Sequence, residues 1–182
     1  MLQKVWVVPH ETSWRQQFEA EAKRVSAALP DIEIWLHHIG STAIPGIVAK
    51  PIIDILMEIQ DVTVLDQKNA IMEGLGYEVM GEFGLPGRRY FRKVNEAGIR
   101  THQIHAFKRV GSEAQRHLAF RDYMIAHPDA AKAYSQLKQK LAQTHSENIN
   151  AYGDGKDPFI KEHEEKALAW YTSQNQDHSG SK

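Results

Sequence analysis

No cysteine occurs among the 182 residues of this chain. This absence excludes disulfide bonds, thiolate nucleophiles and zinc sites built on thiolates. An excess of positive charge is also missing, because the formal net charge is −1. The chain therefore lacks the overall basic field typical of nucleic-acid-binding domains, and we find no clear nucleic-acid signature, although a local basic groove stays compatible with this composition.

Long apolar runs are missing too. The most apolar stretch, around Ile52–Met57, is far too short to cross a bilayer, and the first residues lack the apolar segment of a signal peptide. We therefore expect a cytoplasmic protein that does not bind membranes. Three enzyme motifs are likewise absent: the Walker motif of P-loop enzymes, the Gly-x-Gly-x-x-Gly of Rossmann enzymes and the Gly-x-Ser-x-Gly of serine hydrolases.

The periodicity of apolar residues predicts the order helix, strand, helix, strand, helix, three strands and three helices. This order indicates an α+β (mixed α/β) fold, in which a mixed sheet is covered by helices and the C-terminal part, from about residue 113, is helical. We expect one domain over residues 1–172. The polar, serine-rich residues 173–182 predict a disordered tail.

The C-terminal helices are predicted to be interrupted. Gly153-Asp154-Gly155 is typical of a turn, and Asp157-Pro158 is typical of the first turn of a new helix. Lys156 would then lie in the loop before that helix.

A turn and a carboxylate are the most informative polar features. Gly40-Ser41-Thr42 follows an apolar strand, and Asp54 lies within the next apolar strand, twelve residues after Ser41. A small turn presents backbone N–H groups and a hydroxyl to a phosphate, and a carboxylate beside it can hold a divalent cation. The alternatives are a turn in which Ser41 or Thr42 only caps a helix, and an Asp54 that pairs with Lys50 or an arginine.

A second acidic residue on this strand, Glu58, points to the same side as Asp54. Four residues separate the two along the strand, roughly 13 Å, which is too far to hold one metal ion together. We interpret Glu58 as a solvated strand end.

The histidines disfavour a zinc site. His102 and His105 are three residues apart on a predicted strand and should point to opposite faces, so both cannot bind one ion. We select His105 for the cleft, with a hydrogen-bonded core histidine as the alternative. Mg²⁺ or Mn²⁺ bound by Asp54, phosphate and water fits this set of residues better than zinc.

Basic residues that could contact phosphate are Arg89, beside the glycine-rich loop at residues 81–87, Lys138 on a late helix, and Lys156. The alternative for each of them is a solvated surface charge.

With these residues identified, the chain resembles the GrpB family of uncharacterised proteins. The resemblance runs from about Val7 to Trp170. Its motifs are Trp14-x-x-x-Phe18-x-x-Glu21, His38-Ile39-Gly40-Ser41-Thr42-Ala43-Ile44-Pro45-Gly46, Ala49-Lys50-Pro51-Ile52-Ile53-Asp54-Ile55, Leu75-Gly76-Tyr77, His102-Gln103-Ile104-His105, Phe120-Arg121-Asp122-Tyr123, Tyr134-Ser135-Gln136-Leu137-Lys138 and Tyr152-Gly153-Asp154-Gly155-Lys156.

The resemblance implies a nucleotidyltransferase-like fold. In that superfamily a Gly-Ser turn, here Gly40-Ser41, and acidic strand residues form a nucleotide and metal site. The first metal carboxylate corresponds to Asp54, the second falls on Leu56 and is missing, and the third falls near His105. The family is also found fused to dephospho-coenzyme A kinase domains, which implies a nucleotide-related context.

The resemblance thus implies binding of a nucleotide or phosphorylated small molecule with Mg²⁺ or Mn²⁺. The phosphates would contact Gly40, Ser41 and Lys50, and the metal would contact Asp54 and His105. Transfer of a nucleotidyl or phosphoryl group to an acceptor is the expected activity. One alternative is a non-catalytic nucleotide or phosphometabolite-binding module that has lost the second carboxylate, and another is an interaction domain with a vestigial cleft. The oligomeric state cannot be inferred from these motifs.

Overall fold

The structure, a computed structural model, describes residues 4–177. Within this range the chain forms five α-helices and five strands. Two short 3-10 turns, Ser41–Ala43 and Val62–Lys68, follow β1 and β2. In chain order the elements are α1 (Ser13–Ala28), β1 (Ile34–Ile39), β2 (Ile53–Ile59), α2 (Asn69–Gly74), β3 (Tyr77–Val79), β4 (Arg89–Val94), β5 (Arg100–Lys108), α3 (Ser112–Ala126), α4 (Pro128–Thr144) and α5 (Ile149–Asp177).

The strands form one mixed sheet in the order β1-β2-β5-β4-β3. β2 and β5 are parallel neighbours, and the other three pairs are antiparallel. A parallel pair requires a long crossover connection, which here contains α2, β3 and β4. The expected α+β fold with a mixed sheet is confirmed.

Alternation along the central strands separates the two faces of the sheet. Ile53, Ile55 and Met57 of β2 point to one face, where they pack with Trp14 and Val25 of α1. The other face carries Asp54, Leu56 and Glu58, and its apolar part packs against α3. Asp54 therefore projects from the second face of the sheet, towards the C-terminal helices.

The C-terminal helices are anchored on the loop that connects β1 to β2. Ile44 and Ile47 of this loop are buried with Met124 of α3 and Tyr134 of α4, and Phe159 of α5 packs against them. The helical C-terminal layer expected from the sequence is present in the structure, and this packing brings side chains of α4 and α5 next to the Gly40-Ser41 turn.

Helix α5 differs from the sequence prediction. The predicted turn at residues 153–155 and the predicted helix start at Pro158 are wrong, because α5 is continuous from Ile149 to Asp177 and includes Pro158. The physical reason lies in packing: a Cβ on Gly155 would come within 2.5 Å of Leu141 Cδ2 on α4. Glycine serves here for close helix packing. Residues 173–177 of the predicted disordered tail are helical, and residues 178–182 lie outside the described residues.

The two glycines of α5 provide a matched pair for testing this interpretation. We expect Gly153→Ala to raise the free energy of unfolding by about 0.5–1 kcal/mol, since alanine favours helix interiors and nothing lies within 4 Å of its Cβ. Gly155→Ala should instead lower it by about 1 kcal/mol, because overpacking against Leu141 exceeds the gain in propensity. Urea denaturation of both variants measures the difference, and equal stabilisation by both would contradict the packing role.

No helix in the described part of the chain combines the length and hydropathy that a membrane crossing requires.

Candidate functional site

Asp54 lies directly against the Gly40 backbone at the end of β1. Its register partner on β1 is Ile39, the residue before the turn. Gly40 has a φ of +71° and a ψ of −170°, a conformation that essentially only glycine adopts. A Cβ at this position would come within 2.7 Å of Asp54 Oδ2. The glycine therefore allows both the turn and the close approach of the carboxylate.

His105 faces the same site from the neighbouring strand. It pairs in register with Leu56, so its side chain and that of Asp54 project from the same face of the sheet, whereas His102 pairs with Ile53 and points to the other face. The predicted opposition of the two histidines is therefore confirmed. His105 Nε2 lies 3.5 Å from Asp54 Oδ1, longer than an ordinary hydrogen bond. Both side chains keep access to solvent, with 16% and 28% of their surface exposed.

The second ring nitrogen of His105 is unusual. Nδ1 is buried and has no hydrogen-bond partner within residues 4–177. The ring stacks between Tyr90 and His117, at centroid distances of 5.2 and 5.8 Å. Burial lowers the pKa of His117 to about 3, with nearby Arg116 acting in the same direction, so this ring is neutral at pH 7. His105 is thus held by rings on both sides, which leaves Nε2 to face the site.

Ser41 is positioned by the 3-10 turn that begins directly after Gly40. Its hydroxyl forms a hydrogen bond with the phenol of Tyr134 on α4. Burial raises the pKa of Tyr134 to about 12, and this hydrogen bond acts in the opposite direction. The negative charge of Asp54 also raises the pKa of Tyr134. Ser41, Asp54 and Tyr134 therefore converge from a turn, a strand and a helix.

Lys50 and Lys156 lie beside this group. Each ammonium lies over the ring of buried Tyr152, at 4.8 Å for Lys50 and 4.4 Å for Lys156. Burial lowers the pKa of Lys50 to about 8, and the charge of Lys156 lowers it further, against the attraction of Asp54. Burial also lowers the pKa of Lys156, again against Asp54. Both ammonium groups therefore attract Asp54 electrostatically, but within the described residues neither forms an ion pair with it.

Two other predicted contact residues face into the protein. Thr42 is buried, and its Oγ1 bonds to His38 Nε2 at 2.8 Å and donates to the carbonyl of Ile52 at 3.4 Å. Lys138 is 2% exposed, and its ammonium donates to the carbonyl of Val48. These contacts hold the β1–β2 loop in place, and the Lys138 ammonium also lies over the ring of Tyr134, at 4.6 Å from its centroid.

Arg89 is not brought to the site. It pairs in register with Ala106, on the sheet face opposite to His105. Its guanidinium donates two hydrogen bonds to Asp66, at 2.6 and 2.9 Å. The sequence predicted the strand that carries Arg89, but the face was set by its register with β5.

Glu58 is a correction to the sequence interpretation. It is 8% exposed, so it is not a solvated strand end. Its carboxylate bonds to His37 Nε2 and accepts from the backbone N–H of Val110, both at 2.9 Å. These partners explain how a carboxylate is tolerated there, and they tie it to the loop after β5.

The residues present do not fit a two-metal centre. Such centres use ions about 4 Å apart that are bridged by carboxylates, but the position that the family resemblance implies for the second carboxylate is Leu56, which is fully buried. Across residues 4–177 no group of three or more His, Asp or Glu side chains is arranged to hold a metal. One divalent ion fits better: Asp54 and His105 would hold it, and phosphate and water would complete its shell, as is usual for Mg²⁺.

Sequence reasoning missed several parts of this site. Tyr134 and Tyr152 were recognised only as parts of family motifs. An aromatic residue four positions before a lysine, as in Tyr134/Lys138 and Tyr152/Lys156, is a signal that could have suggested these neighbours on a helix.

A separate concavity of about 610 Å³ lies between the Pro45–Ile47 segment and helices α3 and α4. Its described lining contains no acidic residue or histidine and none of the predicted site residues. This concavity is therefore separate from the cluster around Asp54.

Comparisons with known proteins identify the family of this chain. The family model described as GrpB protein matches residues 4–166. The UPF0157 protein YqkA of Bacillus subtilis (strain 168) is 41% identical over 172 residues, which cover 94% of this chain and 50% of YqkA. The chain thus spans half the length of this relative.

Solved structures agree with the family match. The crystal structure of the conserved protein GrpB from Enterococcus faecalis is similar with a TM-score of 0.86 and 42% identity, covering 91% of this chain and 99% of that chain. A structure of the Cid1 poly(U) polymerase bound to MgATP is similar with a TM-score of 0.47 and 11% identity, over 72% of this chain and 45% of that chain, a likeness too weak to say anything of function. Because the family model covers most of the sequence, the chain belongs to the GrpB family.

Proposed function

We propose that this protein binds the phosphate groups of a nucleotide, or of a similar phosphorylated small molecule, between the Gly40-Ser41 turn and Asp54. The observation that carries this proposal is the convergence of a hydroxyl, a carboxylate and an imidazole from three separate elements. Two partly buried ammonium groups lie beside them. Partly buried charges with so few internal partners are costly for a fold and are typical of binding sites.

The nature of the ligand follows from chemistry and from the family resemblance. Backbone N–H groups, a serine hydroxyl and lysines are the usual contacts of phosphate. A nucleotidyltransferase-like fold, as implied by the resemblance, favours a nucleotide over other phosphorylated molecules. Mg²⁺ or Mn²⁺ bound to Asp54 and His105 would neutralise the charge of the phosphates.

A second candidate function is transfer of a nucleotidyl group. The position of His105 Nε2 beside Asp54 favours it, because an imidazole nitrogen can act as a proton acceptor at the site. An acceptor hydroxyl would attack the α-phosphorus, the bond to the pyrophosphate would break, and the hydroxyl proton would pass to His105. Since the second carboxylate is absent, binding is the function that the geometry supports better.

A thermal-shift experiment with a panel of nucleoside triphosphates, with and without Mg²⁺ or Mn²⁺, tests the proposal. A ligand that binds the native state stabilises it by mass action, about 2.7 kcal/mol at 100 times its dissociation constant. We expect at least one nucleotide to raise the melting temperature, and Ser41→Ala to weaken its affinity about tenfold through loss of a hydrogen bond to a charged group.

Ser26→Ala is the control, because Ser26 is exposed on α1. It should leave the shift unchanged. Chromatography of the incubated nucleotides then separates binding from transfer, since transfer releases pyrophosphate. If no nucleotide at millimolar concentration raises the melting temperature with or without metal, the proposed function is wrong.

A further inference from the structure

The ammonium groups of Lys50 and Lys156 lack ordinary counter-charges. Within residues 4–177 neither forms an ion pair or a hydrogen bond, and the contact of each is with the ring of Tyr152. Both side chains are partly buried. A partly buried cation without a carboxylate partner has lost hydration that the protein does not replace. An anionic ligand would replace it.

Arg100 adds a third positive group. Its Nε is buried and has no hydrogen-bond partner among the described residues. Its charge acts on Lys50 in the same direction as that of Lys156. Of the charged groups that act on Lys50, Asp54 alone is negative. The local charge is therefore positive before any metal ion enters.

These groups come from three distant parts of the chain. Lys50 precedes β2, Arg100 begins β5, and Lys156 lies on α5. Tyr152 on the preceding turn of α5 is 2% exposed, and its ring fixes where the ammonium groups can lie. A surface charge run would come from one element and would be hydrated, so this arrangement differs from a solvated face.

The site offers several positive groups to a phosphate but few ligands to a metal ion. A divalent ion would meet two protein ligands, Asp54 and His105, while lysine charges on the same carboxylate oppose its entry. Mg²⁺ dehydrates reluctantly and is usually bound through one or two carboxylates together with phosphates of the substrate. The metal site is therefore incomplete until phosphate is bound, whereas the phosphate site is not.

We propose that Lys50 and Lys156 bind a polyphosphate directly, so that the ligand binds before, and without, any divalent metal ion. This inference rests on the proposed function and specifies how that site binds its ligand. In this arrangement the ammonium and guanidinium groups supply positive charge where a two-metal site would use its second ion. A metal ion then adds only to the phosphate complex.

The sign of one mutational effect distinguishes this arrangement from a metal-dependent site. In EDTA, Asp54 repels the phosphates, so Asp54→Asn should tighten binding of inorganic tripolyphosphate, by about fivefold for about 1 kcal/mol of removed repulsion. In a metal-dependent site the same change would remove binding. Isothermal titration of the full chain with tripolyphosphate, in EDTA and in Mg²⁺, measures both conditions.

Lysine variants give the second measurement. We expect Lys156→Met to weaken tripolyphosphate binding in EDTA at least about tenfold, since a charged hydrogen-bond donor is removed. Lys161→Met is the matched control, because Lys161 lies on the same helix, is 71% exposed and pairs with Asp157. It should bind as the wild type does. If Lys156→Met does not fold, Asp54→Asn decides the question alone.

Each result has a distinct meaning. Binding in EDTA that Asp54→Asn strengthens supports the inference. Binding in Mg²⁺ alone, with loss in Asp54→Asn, overturns it and leaves the proposed function in place. Absence of binding of tripolyphosphate and of every nucleotide in both conditions overturns both.

Discussion

Replacing Lys138 with methionine is expected to remove a large part of the pH dependence of stability. Burial lowers the pKa of Lys138 to about 7 from its ordinary value of 10.5. Between these values the unfolded chain holds a proton that the folded chain has lost. The free energy of unfolding of the wild type should therefore rise with pH in this window, by about 1.4 kcal/mol per pH unit.

The pKa values of Lys50 and Lys156 are lowered as well, so these lysines also contribute to the pH dependence of stability. Their contribution is present in both the wild type and Lys138→Met, and comparing the two proteins therefore isolates the contribution of Lys138. Relative to Lys138→Met, the wild type should gain about 2 kcal/mol between pH 7 and pH 9. Urea denaturation at several pH values measures it. Lys140→Met, at an exposed position of the same helix, is the control and should follow the wild type. Parallel curves for wild type and Lys138→Met would show that this amine titrates normally.

The second large effect is expected at Gly40. Alanine there must adopt a φ of +71° with an extended ψ, and its Cβ would lie 2.7 Å from Asp54 Oδ2 and 3.1 Å from Asp54 Cβ. Backbone strain of this kind costs about 1–3 kcal/mol, and displacing the carboxylate adds to it. We expect Gly40→Ala to lower the free energy of unfolding by about 3 kcal/mol in total.

Gly46→Ala separates the two causes. Gly46 also has a positive φ, +78°, but nothing lies within 4 Å of its Cβ. It should lose about 1 kcal/mol through backbone strain alone. Chemical denaturation of both variants gives the comparison. Equal losses would mean that the contact between Gly40 and Asp54 contributes nothing.

Short-range patterns predicted the elements that carry the central site. The apolar strand around Asp54 and the strand predicted to carry His102 and His105 correspond to β2 and β5, and strand alternation correctly predicted that the two histidines face opposite sides. The Gly40-Ser41 pair predicted a turn after β1, which the 3-10 segment confirms. These predictions succeed because strand periodicity and turn chemistry depend on neighbouring residues.

The same local reasoning failed where a distant residue changed the balance. Two glycines and a proline predicted a break at residues 153–158, within the observed α5, yet Leu141 requires a small residue at Gly155 and the helix continues. Glu58 was interpreted as solvated, whereas His37 and the loop after β5 bury it. Tertiary packing overrides local propensity of this size routinely.

Ser41, Asp54 and His105 could be selected from the linear chain, because an acid within an apolar strand is unusual and the Gly-Ser turn precedes that strand. Their grouping with Lys50, Lys156 and Tyr152, and the separation of Arg89 from them, followed from sheet register and from the seating of α4 and α5 on the β1–β2 loop. Contacts between residues a hundred positions apart depend on how whole elements pack, and no local pattern encodes that packing.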